Sequence, residues 1–192
     1  RISTNVQQRL RIINDCVRLV TESKNIKTRL SRCDLLIEHA QALLEYENKA
    51  IPTINPPPSQ FLSDYTMIRD QIVLDGILSE VEKLLNKAEI AAPSNTSINE
   101  TKKALLKIRE GKQELQDKSK LDQIEDKVLH FKNKTQLDIY LEAARKAEFK
   151  GQKKKALEQY QEALYFLQST NRDVTEMLTI NEIETKISEL SD

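Results

Sequence analysis

LDIYLEAARKAEFKGQKKKALEQYQEALYFLQST, from Leu137 to Thr170, reads as two amphipathic helical segments hinged at Gly151, and this hairpin organises the rest of the chain. Ala143, Ala144 and Ala147 precede the hinge, Ala156 and Ala163 follow it, and Tyr140, Tyr160 and Leu164 are interleaved with them. Small side chains let two helix backbones come close while aromatic rings fill the grooves between them. A glycine at the hinge is suited to the left-handed conformation that ends a helix.

Working outward, 192 residues suffice for one or two domains with a buried core. Three Gly, five Pro and no Trp, among abundant Leu, Ile, Ala, Glu, Lys and Gln, favour an all-α chain over a sheet protein. Val6, Leu10, Ile13, Val17 and Val20 fall at helical spacing in a first helix. Asn25 is placed to cap a second helix with the stripe Ile26, Leu30, Cys33, Leu36, Ala40 and Leu43. The two form a hairpin over residues 1–50 that needs a third partner to cover it. Residues 51–58, around IPTINPPPS, read as a stiff proline-rich connector.

From Ser59 to about Ile90 the apolar period continues through Gly76, where one long helix or two shorter ones fit. Further helices are expected from near Ser97, from Ser119 to Lys150, after Gly151, and from a cap at Thr179. The total is about seven helices in antiparallel pairs, with residues 59–192 as one region.

The spacing in the opening stretch resembles the tetratricopeptide repeat, a helix-turn-helix unit of about 34 residues. Tyr140 stands where that family places Trp, Ala143-Ala144 for its Leu-Gly pair, Ala147 where it prefers Tyr, and Tyr160 for its Phe; Gln168 replaces the closing Pro. A decayed copy lies upstream. Lys87-Ala88-Glu89 parallels Lys146-Ala147-Glu148, and Lys102-Lys103-Ala104-Leu105 parallels Lys154-Lys155-Ala156-Leu157. Gly111 then matches Ala163, and Leu115 matches Leu167. The upstream turn carries the extra segment AAPSNTS, residues 91–97. The resemblance implies stacked hairpins over the C-terminal two-thirds and a groove for a partner's peptide or helix, lined here by Leu141 and Arg145 with Asp138 nearby. A three-helix bundle of the microtubule-interacting-and-transport type is the alternative, and it leaves the upstream copy unexplained.

Formal net charge is zero, so no global field recruits nucleic acid or membrane. Locally the balance is uneven: residues 97–155 carry 16 basic and 10 acidic side chains, and residues 156–192 carry 2 and 8. Either neighbouring helices pack with complementary rims, or a basic face awaits an acidic partner. Lys150, Lys153, Lys154 and Lys155 form the densest cluster. Lysines at a helix start oppose its dipole, at a cost of a few tenths to ~1 kcal/mol. Glu148 and Glu158 lie close by in sequence and no aromatic is interleaved, which favours a solvated basic turn over a nucleic-acid site.

Motifs of catalysis are missing from the chain. His39 and His130 stand on different helices and, apart from Asp126 one turn before His130, neither has a possible metal co-ligand at helical spacing; no phosphate-binding glycine loop or nucleophile elbow occurs. No cofactor, metal or enzymatic activity is therefore expected. Cys16 and Cys33 are too few for a disulfide framework, though level with one another across the first hairpin, and a reduced, cytoplasmic setting is expected. No apolar run of about 18 residues occurs. The triplets at Asn95, Asn99 and Asn133 read as chance glycosylation matches, and a start at Arg1 reads as a piece of a longer protein. The functional expectation is a non-catalytic adaptor or scaffold that binds another protein through Asp138, Leu141, Arg145, Lys153, Lys154 and Lys155. The alternatives are an oligomerising or structural segment, and a nucleic-acid-associated module using Lys150–Lys155.

Overall fold

Each of the periodic apolar runs becomes an α-helix in the computed structural model, which describes residues 2–47, 49, 54–170 and 174–192. Among these the helices number seven and no strand occurs: α1 (Ile2–Glu22), α2 (Ile26–Glu47), α3 (Pro58–Ala91), α4 (Asn95–Glu114), α5 (Ser119–Phe149), α6 (Lys153–Ser169) and α7 (Val174–Ser191). The all-α expectation holds. None of the described helices is long and apolar enough to cross a membrane.

Local polar groups set most helix ends. Asn25 Oδ1 accepts from the Thr28 N–H at 3.0 Å, as its capping role predicts, and Arg29 Nε donates to the Val20 carbonyl at 3.0 Å near the end of α1. Pro58 occupies the first position of α3, where its missing N–H costs nothing. Glu47 then accepts from Ser59 N at 2.9 Å and Ser59 Oγ at 2.6 Å, a negative charge at the positive end of the helix. Ser94 Oγ accepts from Ser97 N at 3.2 Å, so α4 starts two residues earlier than Ser97. The last helix also starts earlier than its sequence signal, at Val174, and Thr179 lies inside it. Of the proline-rich connector, Ile51, Pro52 and Thr53 fall outside the described residues.

Helix packing divides the chain into two compact units, Arg1–Val81 with Lys107–Leu121, and Glu82–Leu106 with Asp122–Asp192. In the first, Val6, Ile13 and Cys16 of α1 meet Leu36, Ala40 and Leu43 of α2. Phe61, Leu62 and Tyr65 of α3 pack against them and supply the third partner that the hairpin needs. Ile13, Leu36 and Leu43 are fully buried, each contributing about 1.5–3 kcal/mol relative to exposure. The compositional break at the prolines is thus not a break in packing. In the same unit the Gly111 position sits against Ile77, and a Cβ there would meet the Ile77 side chain and come within 3.3 Å of Leu121 Cδ1.

The second unit is built around Leu141 and Ala144 of α5, Tyr160, Ala163 and Leu167 of α6, and Ile180 and Ile183 of α7. Ala147 and Ala156 are buried as well, and the Tyr140 and Phe166 rings meet at 6.1 Å, tilted by 55°. Upstream, Ala88 and Ala104 are buried while Lys87, Lys102 and Lys103 are exposed, the burial pattern of Ala147 and Ala156 with their lysines. That likeness is compatible with a helical repeat.

The three glycines are expected to respond differently to substitution, read as shifts in chemical-denaturation midpoint. Gly76 lies within the unbroken α3 with nothing within 4 Å of an added Cβ, so Gly76→Ala stabilises by roughly 0.5–1 kcal/mol. Gly111→Leu overpacks its site and destabilises by about 1–3 kcal/mol. Gly151, at φ 69°, loses about 1–2 kcal/mol on replacement by Ala.

Candidate interaction surface at the α5–α6 turn

α5 ends in a paired hydrogen-bond motif that the glycine makes available. Gln152 N donates to the Ala147 carbonyl at 2.9 Å and Gly151 N to the Glu148 carbonyl at 3.0 Å, with Gly151 left-handed between them. The chain reverses within Lys150-Gly151-Gln152, and α6 begins at Lys153. Gln152 gives no side-chain cap to α6, and the first turn of α6 holds no acidic residue. Lys153, Lys154 and Lys155 therefore occupy the positive end of a helix dipole with no acidic residue in that turn to offset them. They and Lys150 are exposed.

Phe149, the last residue of α5, is 93% exposed beside these lysines. Sequence periodicity passes over it because it lies outside the apolar stripe; it flanks the lysines and is not interleaved with them. Its signal is phase: on a helix Asp138, Glu142, Arg145 and Phe149 share one line along the surface. Of the residues expected to line a groove, Arg145 is exposed and Asp138 half-buried on that line. Leu141 is only 8% exposed and belongs to the core with Ala144 and Tyr160, so its side chain holds the helices together.

Glu148 does not neutralise the lysines that follow it. One carboxylate oxygen accepts from Lys186 Nζ of α7 at 3.0 Å and the other from the Tyr160 hydroxyl of α6 at 3.0 Å, tying three helices together. The Lys186 contact, then the Tyr160 hydroxyl, hold the Glu148 carboxyl below the usual carboxylate range. Burial, then Glu148, push the Tyr160 phenol up. Among the described residues no carboxylate forms an ion pair with Lys150, Lys153, Lys154 or Lys155. The upstream copy differs, since Lys103 there pairs with Glu100 at 2.9 Å.

The remaining sequence candidates are separate from this surface. Arg9 Nη1 donates to His39 Nδ1 at 2.9 Å, which leaves the ring proton on Nε2, and His130 is exposed. Cys16 and Cys33 are free and buried, and desolvation pushes both thiols up. A cleft of about 380 Å³ in the first unit is lined by Asp34, Leu62, Arg69, Asp70 and Glu114. There Arg69 is bound to Asp34, and Asp70 accepts from Gln116 N at 3.1 Å. Among the described residues no group of three or more His, Cys, Asp or Glu is arranged to hold a metal ion.

A depressed carboxyl contributes stability that is present above its unfolded pKa and lost as pH falls through its folded one. Glu148→Gln is accordingly expected to lower the melting temperature at about pH 7, with the deficit shrinking as pH drops towards about 3. A deficit independent of pH would remove the charged contact with Lys186 from the account. Comparison of the chain with protein-family models, with curated proteins and with solved structures returns no match.

Proposed function

We propose that the chain is a non-catalytic protein-binding module, an adaptor or scaffold segment of tetratricopeptide-like hairpins whose α5–α6 turn captures an acidic stretch of a partner. The observation that carries this is the nearly bare Phe149 ring beside four lysines that have no ion-pair partner among the described residues. A helix start without a cap, crowded with like charge, is poorly arranged for stability alone. An anionic partner with an apolar side chain relieves both features, offsetting the charge and covering the ring. Arg145, in line with Phe149 along α5, extends the surface. Tetratricopeptide-like stacking is supported by the shared burial pattern of Ala88 and Ala104 with Ala147 and Ala156. Two cysteines are too few for a disulfide framework, which fits a reduced, cytoplasmic setting.

Binding of a labelled acidic peptide containing one aromatic residue, followed by fluorescence anisotropy at low salt, tests the reading. Replacing Lys153, Lys154 and Lys155 together by Gln removes up to three exposed charge contacts, each worth a few tenths to ~1 kcal/mol, so affinity should fall about tenfold or more. Phe149→Ala and Arg145→Glu should each weaken binding with helicity unchanged. Equal affinity in all variants, or a preference for an oligonucleotide of the same length over the peptide, overturns the proposal.

A further inference from the structure

We infer that the occupant of the basic turn is a second copy of this chain, which presents the outer face of its α7. This inference rests on reading the turn as a docking surface and names what docks there. Ile180, Ile183, Ile187 and Leu190 turn towards the core; on the exposed remainder of α7, Glu182 lies one turn beyond Leu178 and Glu184 two turns beyond Met177, with Glu189 and Asp192 further along. Met177 is 56% exposed and Leu178 62%, so this face carries bare apolar surface within an acidic surround. Lys186, the basic residue of α7, stands at its inner edge, bound to Glu148 and 4.0 Å from Glu189.

The two surfaces are complementary in kind. One offers an aromatic ring among lysines, and the other offers two flexible apolar side chains among carboxylates. Methionine sulfur makes favourable contact with aromatic rings, and unlike charge steers the approach. Each surface repels its own copy, so a two-fold dimer joining turn to turn or α7 to α7 is disfavoured. What remains is turn against α7, either reciprocally in a two-fold pair or head to tail in a ring or an open chain.

Light scattering on the whole chain decides the matter. At about 0.02 M salt the weight-average mass of the wild type should rise with concentration, and at about 1 M, where screening reaches a few ångströms, it should return to that of a monomer. A turn variant with Lys153→Gln, Lys154→Gln and Lys155→Gln should be monomeric alone. So should a face variant with Met177→Ser, Glu182→Gln and Glu184→Gln. Mixed, the two should form a one-to-one pair and nothing larger, because only one intact surface of each kind remains. A wild type that stays monomeric at low salt overturns the inference, as does either variant assembling as the wild type does. A monomeric wild type that still binds the acidic peptide sinks the second copy alone; loss of peptide binding as well sinks the proposed function with it.

Discussion

Close approach of helix backbones at alanine is the constraint on which the second unit depends. Ala144 and Ala147 on α5, with Ala156 and Ala163 on α6, are all buried, and a larger side chain at any of them would push the helices apart. The same closeness lets the Tyr160 ring lie in the core while its hydroxyl reaches Glu148. With Lys186 on the other oxygen, the one carboxylate close in sequence before the basic turn is fully occupied. Packing in the core thereby removes Glu148 as a partner for the lysines that follow it, because that carboxylate is holding three helices together.

How much of this could be read in advance follows from the range of the interactions. Gly151 and Asn25 act within one helical turn, through a left-handed backbone and a side-chain cap, and both were legible. Gly76 was ambiguous because one glycine costs a helix only about 1 kcal/mol, less than the packing of the apolar stripe that runs through it. The start of α7 was misplaced at Thr179 since Met177 and Leu178 fall out of phase with the buried stripe, and exposed apolar residues carry no boundary signal. The role of Glu148 was illegible for a different reason. Lys186 is 38 residues away along the chain, and only the folded arrangement of α5, α6 and α7 brings the two within 3.0 Å.

Proline-rich composition gave a misleading domain signal, and the reason is local. Pro58 is a good first residue for a helix, and Glu47 reaches across the connector to bond Ser59. A stretch that looks like a linker by composition therefore leads directly into a helix whose Phe61, Leu62 and Tyr65 cover the first hairpin. Stiffness in such a segment limits the conformations of the unfolded chain and helps α3 to dock, so prolines here join elements of one core.

The basic turn illustrates the balance between folding and recognition. A domain is stable by only about 5–15 kcal/mol, and lysines at the first positions of α6 forgo the few tenths to ~1 kcal/mol that acidic residues would supply there. In the upstream lysine pair, inside α4, Lys103 has Glu100 one turn before it. Position 152, the corresponding place one turn before Lys155, is Gln, which offers neither charge nor a side-chain cap. Glu100 lies inside α4 whereas Gln152 is the non-helical residue before α6, so the two copies differ here in backbone as well as in charge. The exposed Phe149 is likewise unrequired by the core, which is complete without it. Two departures from what stability alone favours, adjacent on one turn and complementary to an acidic apolar face, are more simply accounted for by one binding event than by two unrelated accidents.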